Sequence, residues 1–484
     1  MILTKSKYLA GLQCSLLLWT LVNDKSSIPE PDEAQQKIFD VGSKIGLLAT
    51  KLFPDGIKVT EAGFIENINQ TKELLKQNKP LFEAGFLTNN LFSRADILVP
   101  NNGSYDIIEV KSSTQVKEIN LHDVSFQKHV YELAGLKINK CYLMFINNTY
   151  IKQGDINPNL LFKKEDITEQ VIQFSEGIQE RIAEMLKIIN EKKPNIKINP
   201  NCSKPYVCSL KDICWKNIPK NSVFQLARGG KKSWELFNKD IIRIEDIPKD
   251  FKLTTNQEIQ RNCEISKKPL INKDAIKQFL NTIQYPIYYF DFETINPCIP
   301  LYDGLRPYQR MPFQYSLHIQ ETPEGKCKHI SFLAKETEDP RQAILESMKN
   351  NLGDKGTILA WNQSFEIGVI RELCEQIEGY SDWAIKVLER FNDLIIPFKN
   401  FSYYNPIQQG SASLKKVLPA LTNLSYQDLI IGNGGDASNA YELIATSKLS
   451  KEEVKKIRNN LEKYCELDTL AEVEILKALK KIVK

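Results

Sequence analysis

The run Ile287-Tyr288-Tyr289-Phe290 leads straight into Asp291-Phe292-Glu293-Thr294-Ile295, and this stretch constrains the chain more than any other. Aromatic and β-branched residues in an apolar run predict a buried strand. Residues two apart on a strand point to one face, so Asp291 and Glu293 share a face. Burying both carboxylates unpaired would cost on the order of several kcal/mol each. A divalent cation removes that cost, and hard oxygen ligands suit Mg²⁺ or Mn²⁺. The plain alternative is a strand end whose carboxylates are solvated or paired with Lys or Arg.

Two later segments favour the metal. Ile358 to Trp361 is a second apolar strand, running into Asn362-Gln363-Ser364-Phe365-Glu366. Tyr464 and Asp468 stand at i and i+4 in a predicted helix and so share one of its faces. That helix has a start signal, Ser450 with Glu453 three residues on, which is a capping box. Together the three segments resemble the DEDD-type, DnaQ-like exonucleases of the ribonuclease H-like fold. The family pattern is D-x-E, then N-x-x-x-F-D, then Y-x-x-x-D. The middle segment departs from it, with one residue fewer between Asn362 and Phe365, and Glu366 where the family has Asp. The resemblance implies that Asp291, Glu293, Glu366 and Asp468 hold two divalent ions. It implies also that Tyr464 orients the attacking water and that strands are cut 3′ to 5′.

A chain of 484 residues predicts two or three domains. The boundaries expected are 1–220, a small helical connector over 221–280, and 281–484. The net charge of +4 gives no global basic signature for nucleic acid, although a local groove can still form. The start Met-Ile-Leu-Thr-Lys-Ser-Lys-Tyr lacks a signal-peptide pattern, and Leu16 to Val22 is too short to span a membrane. Cytoplasm is the expected location, with no membrane partner. The 10 cysteines then read as reduced thiols or metal ligands, not a disulfide framework.

In the first domain, Leu9 to Val22 predicts one buried helix carrying Cys14, and residues 35–52 a second helix. Strands are expected over Pro80 to Leu87, Ser93 to Val99 and Tyr105 to Ser112, with a turn at Asn101-Asn102-Gly103. Asp96 lies on the second strand, and period 2 places Glu109 and Lys111 on one face of the third. The bland reading is an ion pair at a sheet edge. Downstream, Gln127 and Tyr131 are one turn apart on a predicted helix. This combination, D…E-x-K…Q-x-x-x-Y, resembles the RecB-like branch of the PD-(D/E)XK nucleases. The resemblance implies a restriction-endonuclease-like α/β domain in which Asp96 and Glu109 bind metal. Lys111 would polarise the water, and Gln127 and Tyr131 would support the site. The early-helix His or Glu of that branch has no His counterpart in residues 35–52, and Glu83 is the candidate substitute.

Cys202, Cys208 and Cys214 cluster in one loop and read as thiolate ligands for zinc or an iron–sulfur cluster, although both gaps hold five residues and a close C-x-x-C pair is missing. Cys14 is the candidate fourth ligand. RecB-like nucleases of the iron–sulfur type hold a [4Fe–4S] centre by one cysteine before the core and three after it, which is the order here. Zn²⁺ stays open as the alternative. A further alternative makes Cys14 a buried apolar residue.

In the connector, Gly229, Gly230, Lys231 and Lys232 vaguely resemble a helix-hairpin-helix phosphate contact, and a solvated linker is the plainer reading. The loop from Asn296 to Pro312 interleaves Tyr302, Arg306, Tyr308 and Arg310, a pattern for gripping a single strand. It reads equally as a surface loop. The stretch around Asp291 to Ser316 also resembles an uncharacterised bacterial family, a domain of unknown function found behind RecB-like nuclease domains.

The expectation is therefore a nuclease with two sites. One sits in a PD-(D/E)XK domain, and the other in a ribonuclease H-like domain with a mixed sheet flanked by helices. The substrate expected is nucleic acid, DNA ahead of RNA. No Walker-type loop is present, so any helicase would be a separate partner. The rival expectation is a catalytically degenerate nucleic-acid binding or assembly module. A third is a zinc-stapled interaction protein.

Overall fold

The structure is a computed structural model that describes residues 1–60 and 63–484. The chain divides into two compact units, Met1–Asn217 with Cys298–Tyr308, and Ile218–Pro297 with Gln309–Lys484. Both are α/β, with mixed sheets and helices. Among the described residues, no helix is long and apolar enough to cross a membrane.

The first unit is built on β1 (Leu3–Thr4), β2 (Ile57–Lys58), β3 (Leu81–Thr88), β4 (Leu91–Asn101), β5 (Ser104–Lys111), β6 (Ile138–Ile146) and β7 (Phe162–Asp166). They form one sheet in the order β2-β3-β4-β5-β6-β7, with β1 added beside β4. Its helices include α1 (Lys5–Gln13), α2 (Ser15–Asn23), α3 (Glu33–Thr50), α4 (Phe64–Leu75) and α5 (Glu118–Leu133). Alternation along β5 buries both faces. Ile107 packs with Val124, Val130 and Tyr131 of α5, while Ile108 packs with Ile45 and Ala49 of α3. The hairpin between β4 and β5 turns at Asn102 and Gly103, both at positive φ (45° and 78°), the backbone a tight two-residue turn demands.

Two expectations are corrected in this unit. The single helix over Leu9 to Val22 is two helices, α1 and α2, broken at Cys14, which is extended at φ −163°, ψ 127°. The loop between Asn296 and Pro312 is not a free surface loop. Its residues Cys298–Tyr308 belong to the first unit. There Cys298 is buried, Lys152 pairs with Asp303 at 2.6 Å, and the Tyr308 hydroxyl donates to the Ser112 carbonyl. Tyr308 is thus engaged by the protein. So is Arg310 of the second unit, which pairs with Glu372 and lies over the Phe365 ring.

The second unit pairs β8 (Leu270–Ile271) with β14 (Tyr403–Tyr404). Its main sheet holds β9 (Ile287–Ile295), β10 (Met311–Gln320), β11 (Lys328–Leu333), β12 (Thr357–Ala360) and β13 (Phe391–Asp393), in the order β11-β10-β9-β12-β13. Strands β9, β10 and β11 are antiparallel neighbours, whereas β12 runs parallel to both β9 and β13. Asp393 is the last residue of β13.

Alternation on β9 decides where its carboxylates go. Tyr288, Phe290 and Phe292 pack with Ile344, Met348 and Ile370 on one side. Ile287 and Tyr289 pack on the other with Ala471, Ile475 and Leu476 of the helix Lys451–Val483. Asp291 and Glu293 continue the second series, toward that helix. Its start is the expected capping box, Ser450 N donating to Glu453 Oε2 at 2.9 Å and Glu453 N to Ser450 Oγ at 3.3 Å.

Candidate active site

Three carboxylates of the second unit converge. Asp291 and Glu293 come from β9 and Asp468 from the helix Lys451–Val483, and each offers an oxygen within 4.8 Å of the others. They line a cavity of about 490 Å³ together with Trp361, Asn362, Phe365, Glu366, Lys415 and Tyr464. Glu366 lies in the first turn of the helix Ser364–Gln376 and is only 2% exposed. The second-segment residues therefore reach the cavity despite the shortened spacing.

The electrostatics are those of an uncompensated acid cluster. Burial first, then Asp468 and Glu293, raise the Asp291 carboxyl well above the ordinary range. Burial also pushes Glu293 and Glu366 up to about 8 and Asp468 up to about 6. Glu366 Oε2 is buried and finds no hydrogen-bond partner. Carboxylates so placed must hold protons, or share a cation that takes the place of those protons. A divalent cation fits this donor set, since the ligand atoms are hard oxygens and one of them is unclaimed.

Four further residues bear on the carboxylates and were not candidates from sequence; of these Lys415 and Gly434 line the cavity itself. The Tyr426 hydroxyl donates to Asp468 Oδ1 at 2.5 Å. Lys415 sits over the rings of Tyr426 and Tyr464, at 5.4 and 5.3 Å, and its charge lowers Glu293 and Asp468. Gly434 brings bare backbone to the cavity, and a Cβ there would lie 3.5 Å from Glu293 Oε2. Glu472 is fully buried, neither of its oxygens finds a partner, and burial, then Glu366, hold its carboxyl high. Its place four residues after Asp468 was the available signal.

The first unit assembles a different kind of site. Lys111 Nζ reaches Glu109 Oε1 at 2.5 Å and Asp123 Oδ2 at 2.9 Å. Gln127 Nε2 donates to Glu109 Oε2 at 2.6 Å and to Asp123 Oδ1 at 3.0 Å. Tyr131 follows, its hydroxyl donating to Gln127 Oε1 at 3.2 Å. Asp96 accepts from the Val110 amide at 2.8 Å. Asp123 and Lys5 are residues that sequence reasoning missed. Asp123 is one turn before Gln127, whereas nothing local marks Lys5, 104 residues from Glu109. Glu83 is not among these partners; its φ is +60°, and its exposed carboxylate lies 3.8 Å from Arg94.

Cys14, Cys202, Cys208 and Cys214 line one small cavity, and the break at Cys14 is what brings its thiol there. Burial raises the Cys208 and Cys214 thiols. Among the described residues, no three of these sulfurs lie within 4.8 Å of one another. Four thiolates on one tetrahedral zinc would be about 3.8 Å apart, given Zn–S bonds of about 2.3 Å. In the connector, Gly229 N already donates to Leu226 O at 2.8 Å and Lys232 Nζ to Gln257 Oε1 at 3.2 Å. That amide and that ammonium are therefore engaged internally.

A family model described as Domain of unknown function (DUF2779) matches residues 288–413. That range takes in Asp291, Glu293 and Glu366, and stops before Tyr464. Uncharacterized protein MG366 of Mycoplasma genitalium is 26% identical over 238 residues, 45% of this chain and 36% of that protein. Uncharacterized protein UU173 of Ureaplasma parvum is 26% identical over 281 residues, 51% of this chain and 38% of that protein. The chain thus spans little more than a third of the length of these curated relatives.

Proposed function

We propose that the chain is a metal-dependent phosphodiesterase acting on nucleic acid, DNA ahead of RNA, with its chemistry at Asp291, Glu293, Glu366 and Asp468. One observation carries the reading: buried carboxylates from β9 and from two helices converge on one cavity with too little positive charge to balance them. Mg²⁺ or Mn²⁺ bound there would supply Lewis acidity and a water activated at neutral pH. The chain's own groups do the rest. Tyr426 fixes Asp468 through its hydrogen bond. Tyr464 and Lys415 line the cavity where the phosphate enters, and Lys415 offers it an ammonium.

The strand order of the second unit, with three antiparallel strands followed by two parallel ones, supports a ribonuclease H-like, DnaQ-like fold. In the first unit, the shared network of Glu109, Lys111, Gln127 and Tyr131 supports a RecB-like PD-(D/E)XK fold. The order of the four cysteines, one before the core and three after it, favours an iron–sulfur cluster over zinc.

A second reading, binding without cleavage, applies to the first unit alone. Glu109 and Asp123 are already held by two ammonium groups, so their charge is compensated within the chain as long as both lysines stay in place.

Cleavage of end-labelled single-stranded DNA and RNA with Mg²⁺ or Mn²⁺ tests the proposal, comparing wild type with Asp291→Ala, Asp96→Ala and the double variant. Asp291→Ala is expected to remove at least a hundredfold of the activity. Cleavage that survives Asp291→Ala and vanishes with Asp96→Ala moves the chemistry to the first unit. Strand binding without cleavage under either metal replaces the enzyme with the binding module.

A further inference from the structure

Lys5 begins α1, and its position is tightly determined. Leu3 and Thr4 pair with Leu91 and Phe92, and Tyr8 stacks on Phe126 of α5 at 4.7 Å. So anchored, α1 delivers the Lys5 ammonium 2.9 Å from Glu109 Oε1 and 3.4 Å from Asp123 Oδ1. These are the same two carboxylates that Lys111 and Gln127 hold. Glu109 and Asp123 are 1% and 2% exposed, and the Lys5 side chain is 24% exposed. Asp96 also faces the two lysines.

Three carboxylates therefore meet two ammonium groups. A divalent ion in the place of Lys5 would balance the set, but the Lys5 ammonium already holds the two carboxylates such an ion would use. The two lysines differ in their freedom to leave. Lys111 is two residues from Glu109 on the same strand, while Lys5 reaches in from another element with a partly exposed, flexible four-carbon stem.

We propose that Lys5 is the resident counter-ion of the first unit's polar site, displaced when a divalent cation binds Glu109 and Asp123, and that its freed ammonium takes a phosphodiester of the substrate. This rests on the nuclease-like reading of that unit. Metal and nucleic acid then load together. A phosphate that draws Lys5 away uncovers the carboxylates, and by linkage the bound ion tightens the grip on the phosphate. The free protein keeps its buried carboxylates paired and binds metal only weakly until a strand arrives.

The test is Mn²⁺ titration followed by electron paramagnetic resonance, on the full chain carrying Asp291→Asn to weaken the second unit's acid cluster. Glu109→Gln in the same background identifies the ion that belongs to the first unit. The probe strand is a phosphorothioate oligothymidylate. With Lys5 present, Mn²⁺ is expected to bind the first unit weakly alone and on the order of tenfold more tightly with the oligonucleotide. Lys5→Met should bind Mn²⁺ on the order of tenfold more tightly without it, with less than a further twofold from adding it. A Lys5→Met protein that binds Mn²⁺ no more tightly than its parent overturns the proposal and makes Lys5 a scaffold ion pair. So does the absence of Mn²⁺ binding at Glu109 in both. If Lys5→Met does not fold, Lys5→Gln, which can still donate to Glu109, repeats the comparison. Failure of the second unit's chemistry would appear in the cleavage assay and not in this titration.

Discussion

Raising the pH of the metal-free protein is expected to destabilise its second unit, and a divalent cation to cancel the effect. Burial pushes the Glu293 and Glu366 carboxyls up to about 8, whereas the unfolded chain gives up the same protons at about 4.3. Between those values the folded cluster holds protons that the unfolded chain has lost. Stability must therefore fall as pH rises through that window and level off above about 8. Each proton so held is worth about 1.4 kcal/mol per pH unit. A single shared proton retained from pH 5 to pH 8 amounts to about 4 kcal/mol. At roughly 2–4 °C per kcal/mol for a unit of this size, the melting temperature should drop by roughly 8–16 °C. Scanning calorimetry in EDTA across that range reads the drop directly. With saturating Mn²⁺ the profile should flatten, because the cation replaces the protons. A flat profile in EDTA, or a slope that Mn²⁺ leaves untouched, refutes the view of the cluster as an uncompensated acid site.

Two further outcomes follow from the geometry. Tyr426→Phe removes the 2.5 Å hydrogen bond to Asp468 and should cost about 2 kcal/mol in a denaturant titration; an unchanged midpoint would take Tyr426 out of the site. Cys208→Ser should strip iron or zinc from the purified chain, read by elemental analysis, and destabilise the first unit by several kcal/mol, on the order typical of a lost structural metal; unaltered metal content and stability would return the four cysteines to ordinary packing.

The second unit's site was legible because its chemistry is written in local periods. The two-residue period put Asp291 and Glu293 on one face, the four-residue period put Tyr464 and Asp468 on another, and the strand carrying the first pair packs on the helix carrying the second. Glu472 followed the same period and could have been found. Tyr426 and Lys415 could not, because they reach Asp468 and the cavity from stretches with no regular spacing to the carboxylates. The same distinction divides the first unit. Glu109, Lys111, Gln127 and Tyr131 are near one another in sequence or one turn apart, but Lys5 meets them only through the pairing of Leu3 and Thr4 with β4. The break at Cys14 also escaped notice: the apolar run from Leu9 to Val22 has no Pro, and its one Gly, Gly11, lies three residues before the break.

The first unit is not a continuous piece of chain. Its last segment, Cys298–Tyr308, lies between β9 and β10 of the second, and supplies buried Cys298 and the Asp303 partner of Lys152. During synthesis, residues 1–217 leave the ribosome well before that segment exists. The second unit's β9, with its acidic pair, must emerge before the first unit can finish folding. A fragment ended at residue 217 is consequently an unfinished unit, not an isolated domain. For the same reason, proteolysis between β9 and β10 would wound the first unit while cutting within the sequence that surrounds the second.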